Sequence, residues 1–180
     1  MIRQTVMYLF IFLLILAHMG CKTKTEEHTA PKSLDDHIMM NTNRIVTVSE
    51  ESIIDDYIKR YQWKMNKTGS GLRYMIYKTT SGKKTGQGDV VTLNYSLELI
   101  NGQPCYSSAN DGPKKFIIGK STVERGLEEG VLLMKKGERA KFILPSHLGN
   151  GFQGDMKKIP KKAILIYDVE LVDVIQLNNN

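Results

Sequence analysis

From Val91 to Leu99 the chain alternates without a slip: Val91, Leu93, Tyr95, Leu97 and Leu99 are separated by Thr92, Asn94, Ser96 and Glu98. A period of two held over nine residues calls for a strand with one buried face and one wet face. Asn101-Gly102 follows, a pair that tight hairpins favour. Other strands are expected over 72–79, 116–118 and 163–174, the last with Leu165, Tyr167, Val169 and Leu171 on one side. Another runs through Ala140, Phe142 and Leu144, which alternate with Arg139, Lys141 and Ile143 until Pro145 closes the strand. Gly82, Gly86 and Gly88 punctuate a loop. Helical spacing relates Val123, Leu127, Val131 and Met134, and Gly137 is expected to cap that helix. One short helix among about five strands predicts an α+β domain, a curved antiparallel sheet wrapped around the helix.

A second helix is expected ahead of this domain, over 49–67. Ser49 opens it, and Glu50, Glu51, Asp55 and Asp56 make its first turns acidic. Lys59, Arg60 and Lys64 make its later turns basic, which suits the helix dipole. Ile53, Ile54, Tyr57, Ile58, Tyr61 and Met65 form one stripe, and Gly69 or Gly71 is the expected stop. The stripe could dock on the following domain or pair with a second copy. Docking is preferred, because one short helix makes a poor dimer seam.

The front of the chain bears on location. Arg3 precedes an apolar run of 12 residues over 6–17, long enough for a signal peptide and short of a membrane span. Met19-Gly20-Cys21 resembles the lipobox of bacterial lipoproteins, although His18 stands where a small aliphatic residue is usual. Residues 1–20 are therefore expected to be a signal peptide, Cys21 a lipid-bearing membrane anchor, and 21–48 a flexible polar tether. Cleavage there leaves 160 of 180 residues, with the domain at 69–176 as the main folded unit. Two Cys exclude a disulfide scaffold, and a lipidated Cys21 leaves Cys105 without a partner. His28 and His37 lack a third ligand at useful spacing, so no metal is expected. The net charge of +6 sits mainly in the front half: 12 basic against 8 acidic residues over 22–84, and 12 against 11 over 89–173. That balance, without basic and aromatic residues interleaved, argues against a nucleic-acid partner.

Six fragments in order carry a resemblance. They are Gly88-Asp89-Val-Val-Thr-Leu-Asn-Tyr95, Phe116-Ile-Ile-Gly-Lys120, Val123-Glu-Arg-Gly-Leu-Glu-Glu-Gly130, Gly137-Glu-Arg-Ala-Lys141, Ile159-Pro160 and Ile166-Tyr-Asp-Val-Glu-Leu171. Together they resemble an FKBP-type peptidyl-prolyl cis-trans isomerase over about residues 86–175. The helix before Thr68-Gly-Ser-Gly-Leu-Arg-Tyr74 is similar to the entry segment of exported bacterial FKBPs. With the lipoprotein start, the chain looks most like the gliding-motility-associated FKBP-type lipoproteins.

The resemblance implies an apolar cleft that needs no cofactor and takes proline-containing client polypeptides, in a chain expected to be monomeric. Tyr95, Phe116, Ile159 and Tyr167 match its walls, while Val123 and Glu124 match the helix start where backbone meets substrate. Several positions depart from the pattern. Leu127 replaces the Trp of the floor, Cys105-Tyr106 replaces a Phe-Asp pair, Asn150 replaces a loop Tyr, and Glu124 replaces Ile. These departures remove the Asp of that pair and put turnover at risk rather than fold. Two function classes follow: an anchored folding enzyme, or an FKBP-fold module that holds clients without useful turnover. Cys105 reads as a small apolar filler. Lys157, Lys158, Lys161 and Lys162 read as a solvated face or as a basic rim selecting acidic clients.

Overall fold

The computed structural model describes residues 48–120, 123–151 and 153–176. The expected signal peptide, Cys21, the histidines at 28 and 37, and the tether up to residue 47 lie outside the described residues. The described elements in chain order are helix α1 (48–60), β1 (Asn66–Lys67), β2 (Arg73–Lys78), β3 (Val90–Leu99), β4 (Pro104–Ser107) and helix α2 (Ser108–Asp111). Then follow β5 (Lys114–Ile117), helix α3 (Arg125–Val131), β6 (Arg139–Leu144), a 3-10 turn (Ser146–Leu148) and β7 (Leu165–Ile175). Among the described residues no helix is long and apolar enough to cross a membrane.

The strands form one antiparallel sheet in the order β1-β2-β6-β7-β3-β4, with β5 also paired to β3. The alternating strand β3 is its spine. One edge meets β7 along its whole length, from Val90↔Ile175 to Leu99↔Leu165. The other edge is shared, its start pairing with β5 and its end with β4. Between these partners the chain leaves the edge through α2. Ser108 fills the gap there: the Tyr95 backbone N–H donates to Ser108 Oγ at 3.1 Å. Register shifts in β2, β3 and β4 pairings mark bulges, which bend a sheet.

Both faces at the sheet's centre are covered, for different reasons. On the inner face Val91, Leu93, Leu97, Ala140, Phe142, Leu144, Tyr167 and Leu171 pack around Leu127 and Val131 of α3. Gly126 and Gly130 let α3 lie directly on β6. A Cβ on Gly130 would meet the Phe142 ring at 2.7 Å, and one on Gly126 would meet Leu144 at 2.5 Å. On the outer face α1 docks, as preferred from the sequence. Ile54 and Tyr57 pack on Ile143, Ile164 and Ile166. This explains apolar residues at alternate positions of β6 and β7 that would otherwise face water. Two polar contacts fix the dock: Ser146 donates to buried Glu50 at 2.6 Å through its hydroxyl, and buried Arg73 reaches Asp55 at 3.0 Å.

Two expected helix ends are corrected. Helix α1 stops at residue 60, not at 67, so Lys64 and Met65 lie beyond it. Trp63 N–H reaches back to Ile58 O at 3.1 Å, Gln62 N–H to Lys59 O at 3.2 Å, and Gln62 adopts φ 54°. That is a Schellman stop made without glycine. Exposed Gln62→Gly should therefore raise unfolding free energy by roughly 1 kcal/mol in denaturant titrations. Gly137 caps nothing: α3 ends at Val131 with Leu132 as its cap, and Gly137, at φ 87°, turns the chain into β6. Its N–H donates to Leu171 O at 2.7 Å.

Candidate active site

Register assembles the site. Leu97 lies between Tyr106 on β4 and Tyr167 on β7, and Tyr95 opposes Val169. Phe116, Leu127, Cys105, Ile159 and Tyr167 fall in one buried cluster, with Tyr95, Tyr106 and Val123 half-buried against it. The Tyr95 and Tyr167 rings lie 6.1 Å apart at 47°. Nine of the ten positions expected from the sequence thus lie in or beside that cluster, Glu124 joining through the ion pair described below. The tenth, Asn150, is half-buried after the 3-10 turn, and its Oδ1 has no hydrogen-bond partner among the described residues.

Two residues of the site were missed. Lys114 is the first. Strand β5 turns Lys114 and Phe116 to the same side, so an inward lysine accompanies the expected aromatic. Its Nζ sits 5.1 Å from the Tyr95 ring centre and 5.8 Å from that of Tyr167, and pairs with Glu124 at 3.5 Å. Glu124 is the N-cap of α3, yet its side chain makes no cap hydrogen bond and turns to Lys114 instead. Parity counted back from Phe116 was the available signal.

Asp155 is the second. It accepts from the Tyr106 hydroxyl and from the backbone N–H groups of Lys157, Lys158 and Ile159. The Gly154-Asp155 turn gave a local signal, but only the fold shows that the carboxylate meets Tyr106. Burial acts to raise the Asp155 pKa. The Tyr106 hydroxyl and three N–H donors outweigh it and hold the carboxyl at about 2, below the ordinary 3.8. A depressed pKa stabilises the fold above the ordinary value and loses that contribution as pH falls through the folded one. Asp155→Ala should therefore lower the melting midpoint at neutral pH, and the gap should close as pH falls from about 4 towards 2.

The remaining groups are set for binding rather than covalent chemistry. Burial, then the Glu124 carboxylate, pushes the Tyr167 hydroxyl well above its ordinary pKa, and burial followed by Asp111 and Glu124 raises Tyr95. Asp155 pushes Tyr106 up to about 12. All three hydroxyls stay protonated at neutral pH. Burial, then Asp155, raises the Cys105 thiol, so the site holds no activated nucleophile there. Leu127 and Tyr167 are each 0% exposed, so a prolyl ring reaches them only by moving what lies above.

The sequence model of the family described as FKBP-type peptidyl-prolyl cis-trans isomerase matches residues 81–172, from the loop before β3 into β7. The chain belongs to that family. A probable FKBP-type isomerase, FkpA, from Neisseria meningitidis serogroup B is 44% identical over 108 residues, 59% of this chain and 39% of that one. FK506-binding protein 2 of Dictyostelium discoideum is 44% identical over 92 residues, 51% of this chain and 69% of that one. The chain thus spans well under half of the meningococcal relative. Among solved structures, FkpA from Escherichia coli aligns with a TM-score of 0.63 at 28% identity, covering 76% of this chain and 64% of that one. AtFKBP13 aligns at 0.58 and 26% identity, covering 62% of this chain and 98% of that one. The FKBP fold expected from the six fragments is thereby shown.

Proposed function

We propose that the chain is a prolyl isomerase of the cell envelope, anchored through Cys21 and acting on exported or surface polypeptides. The observation that carries it is that Tyr95, Phe116, Leu127, Ile159 and Tyr167 lie in or against one apolar cluster of an FKBP domain. Rotation about an X–Pro bond meets a barrier of about 18–20 kcal/mol because the planar amide is resonance-stabilised. Twisting removes that resonance, so a cleft that binds the twisted form better than either planar form accelerates exchange with no nucleophile or metal. Apolar walls strip water from the carbonyl, and an oriented hydroxyl of the kind half-buried Tyr95 supplies can hold the chain. The apolar run over 6–17 and Cys21 support the envelope reading, and the whole start with its FKBP domain supports a client set that includes gliding-machinery proteins.

A second reading is favoured by one observation, the Lys114–Glu124 pair set against the Tyr95 and Tyr167 rings. A charged pair above the floor hinders entry of a prolyl ring, which suits a module that holds clients with little turnover. Refolding of a denatured protein limited by prolyl isomerisation separates the two. The isomerase reading predicts a shortened slow phase with far less chain than client. A slow phase that is unchanged at such ratios and affected only at equal amounts supports the holding module. Mass spectrometry of the membrane fraction should show an acylated Cys21 as the first residue, and an unprocessed Met1 end would overturn the anchoring.

A further inference from the structure

Lys114 is held loosely for a buried-facing cation. Its side chain is 25% exposed, and its Nζ lies 3.5 Å from both Glu124 Oε2 and the Tyr167 hydroxyl. Charge-assisted hydrogen bonds run at about 2.7–2.9 Å. The ammonium therefore rests on two ring faces and two stretched polar contacts, and retains donors that can serve a ligand. The carboxylates nearby do not compete equally for one. Glu124 is deeper, its side chain 12% exposed, Asp155 is already taken by Tyr106 and three backbone N–H groups, and exposed Asp111, which also acts on Tyr95, accepts from the Ser107 backbone N–H at 3.0 Å. The charge resting directly on the Tyr95 and Tyr167 rings is the Lys114 ammonium.

The rim repeats that sign. Lys157, Lys158 and Lys161 stand around Ile159, bordering a hollow of about 520 Å³ with Met156 88% exposed beside them. Lys158 joins rim to cleft, since its Nζ donates to Cys105 O at 2.8 Å and lies 4.8 Å from the Tyr106 ring centre. An apolar client residue placed against Lys114 strips water from the ammonium and returns no acceptor, which is costly, and a neutral amide returns only an uncharged one. A cationic residue is repelled. A carboxylate supplies the missing acceptor.

The geometry points to acidic clients: the cleft selects segments in which Asp or Glu adjoins proline, the carboxylate hydrogen-bonded to Lys114 between Tyr95 and Tyr167. This rests on the reading of the cleft as a proline site and adds the class of client to it.

The test uses the full-length chain and blocked tetrapeptides with Glu, Gln or Lys immediately before proline, and a second set with the same residues immediately after it. Affinity is measured by calorimetry and cis–trans exchange by NMR, at low salt. In one set, Glu should bind about fivefold tighter than Gln, with Lys weakest, and added salt should shrink the difference. Lys114→Met keeps the stem and removes the charge, and should bring Glu and Gln together. Glu124→Gln removes the internal competitor and should widen their ratio, which damage to the fold could not do. Equal affinities for Glu and Gln in both sets, a preference surviving Lys114→Met, or no binding of any peptide at millimolar concentration each overturns the inference. If the Glu preference holds in binding while no peptide exchanges faster than in buffer, charge selection stands and the isomerase reading falls. If all peptides exchange faster without charge preference, the isomerase reading stands and this inference falls.

Discussion

Truncating Phe142 to Ala should cost about 3–5 kcal/mol of folding free energy, measured by denaturant titration. Phe142 is 0% exposed and sits at the middle of β6, paired across to Tyr74 on β2 and to Tyr167 on β7. Its ring also fills the space above Gly130, so α3 rests on it. Removing it leaves a cavity bounded by strands and helix that hydrogen bonding holds in place, so little collapse can offset the loss. Domains of this size are stable by about 5–15 kcal/mol, so the effect is a large share of the whole. An unchanged midpoint would mean that the inner face of β6 has been assigned to the wrong side.

The largest effect on activity is expected from the double variant Lys114→Phe with Glu124→Ile. The pair is charged and mostly covered, with side chains 25% and 12% exposed. Replacing both partners of such a pair by apolar groups is often neutral or stabilising, whereas removing one leaves a charge without its partner. Lys114→Phe alone strands Glu124, whose Oε2 accepts no hydrogen bond among the described residues, and should cost about 2 kcal/mol or more. Adding Glu124→Ile should restore stability to the native level or above. The double variant also removes the group that a neutral client must desolvate over Leu127. Exchange of a Leu-Pro peptide should then speed by about tenfold, equivalent to roughly 1.4 kcal/mol at the transition state. Single and double variants with additive stability losses, or a double variant no faster than the native chain, would remove the ion pair from the account.

Legibility in the sequence followed the range of the forces involved. The period of β3 and its Asn101-Gly102 turn are local, and both appear as read, with Gly102 at φ 85° and its N–H on Leu99 O at 2.8 Å. The stripe on α1 predicted docking, but its end did not show, because Gln62 takes a backbone conformation usually left to glycine. Ile143 was set among the outward residues of β6, and only α1 arriving from elsewhere in the chain buries it. The site behaved in the same way. Tyr95, Phe116, Leu127 and Tyr167 were legible from spacing together with family likeness. Lys114 was not, since a lysine at an inward strand position contradicts the usual pattern and only the facing rings and Glu124 make it tolerable. Asp155 became part of the site through a contact 49 residues away in sequence, which no local pattern encodes.

The proposed function rests on turnover of X–Pro bonds by this FKBP domain. The most direct measurement is the cis–trans exchange rate of blocked proline peptides, read by NMR magnetisation exchange with the folded full-length chain at a small fraction of the peptide concentration. Turnover by this domain requires exchange faster than in buffer, faster again with Lys114→Phe/Glu124→Ile for the neutral peptide. A folded chain that leaves every peptide at the buffer rate, in native and double-variant form alike, contradicts it.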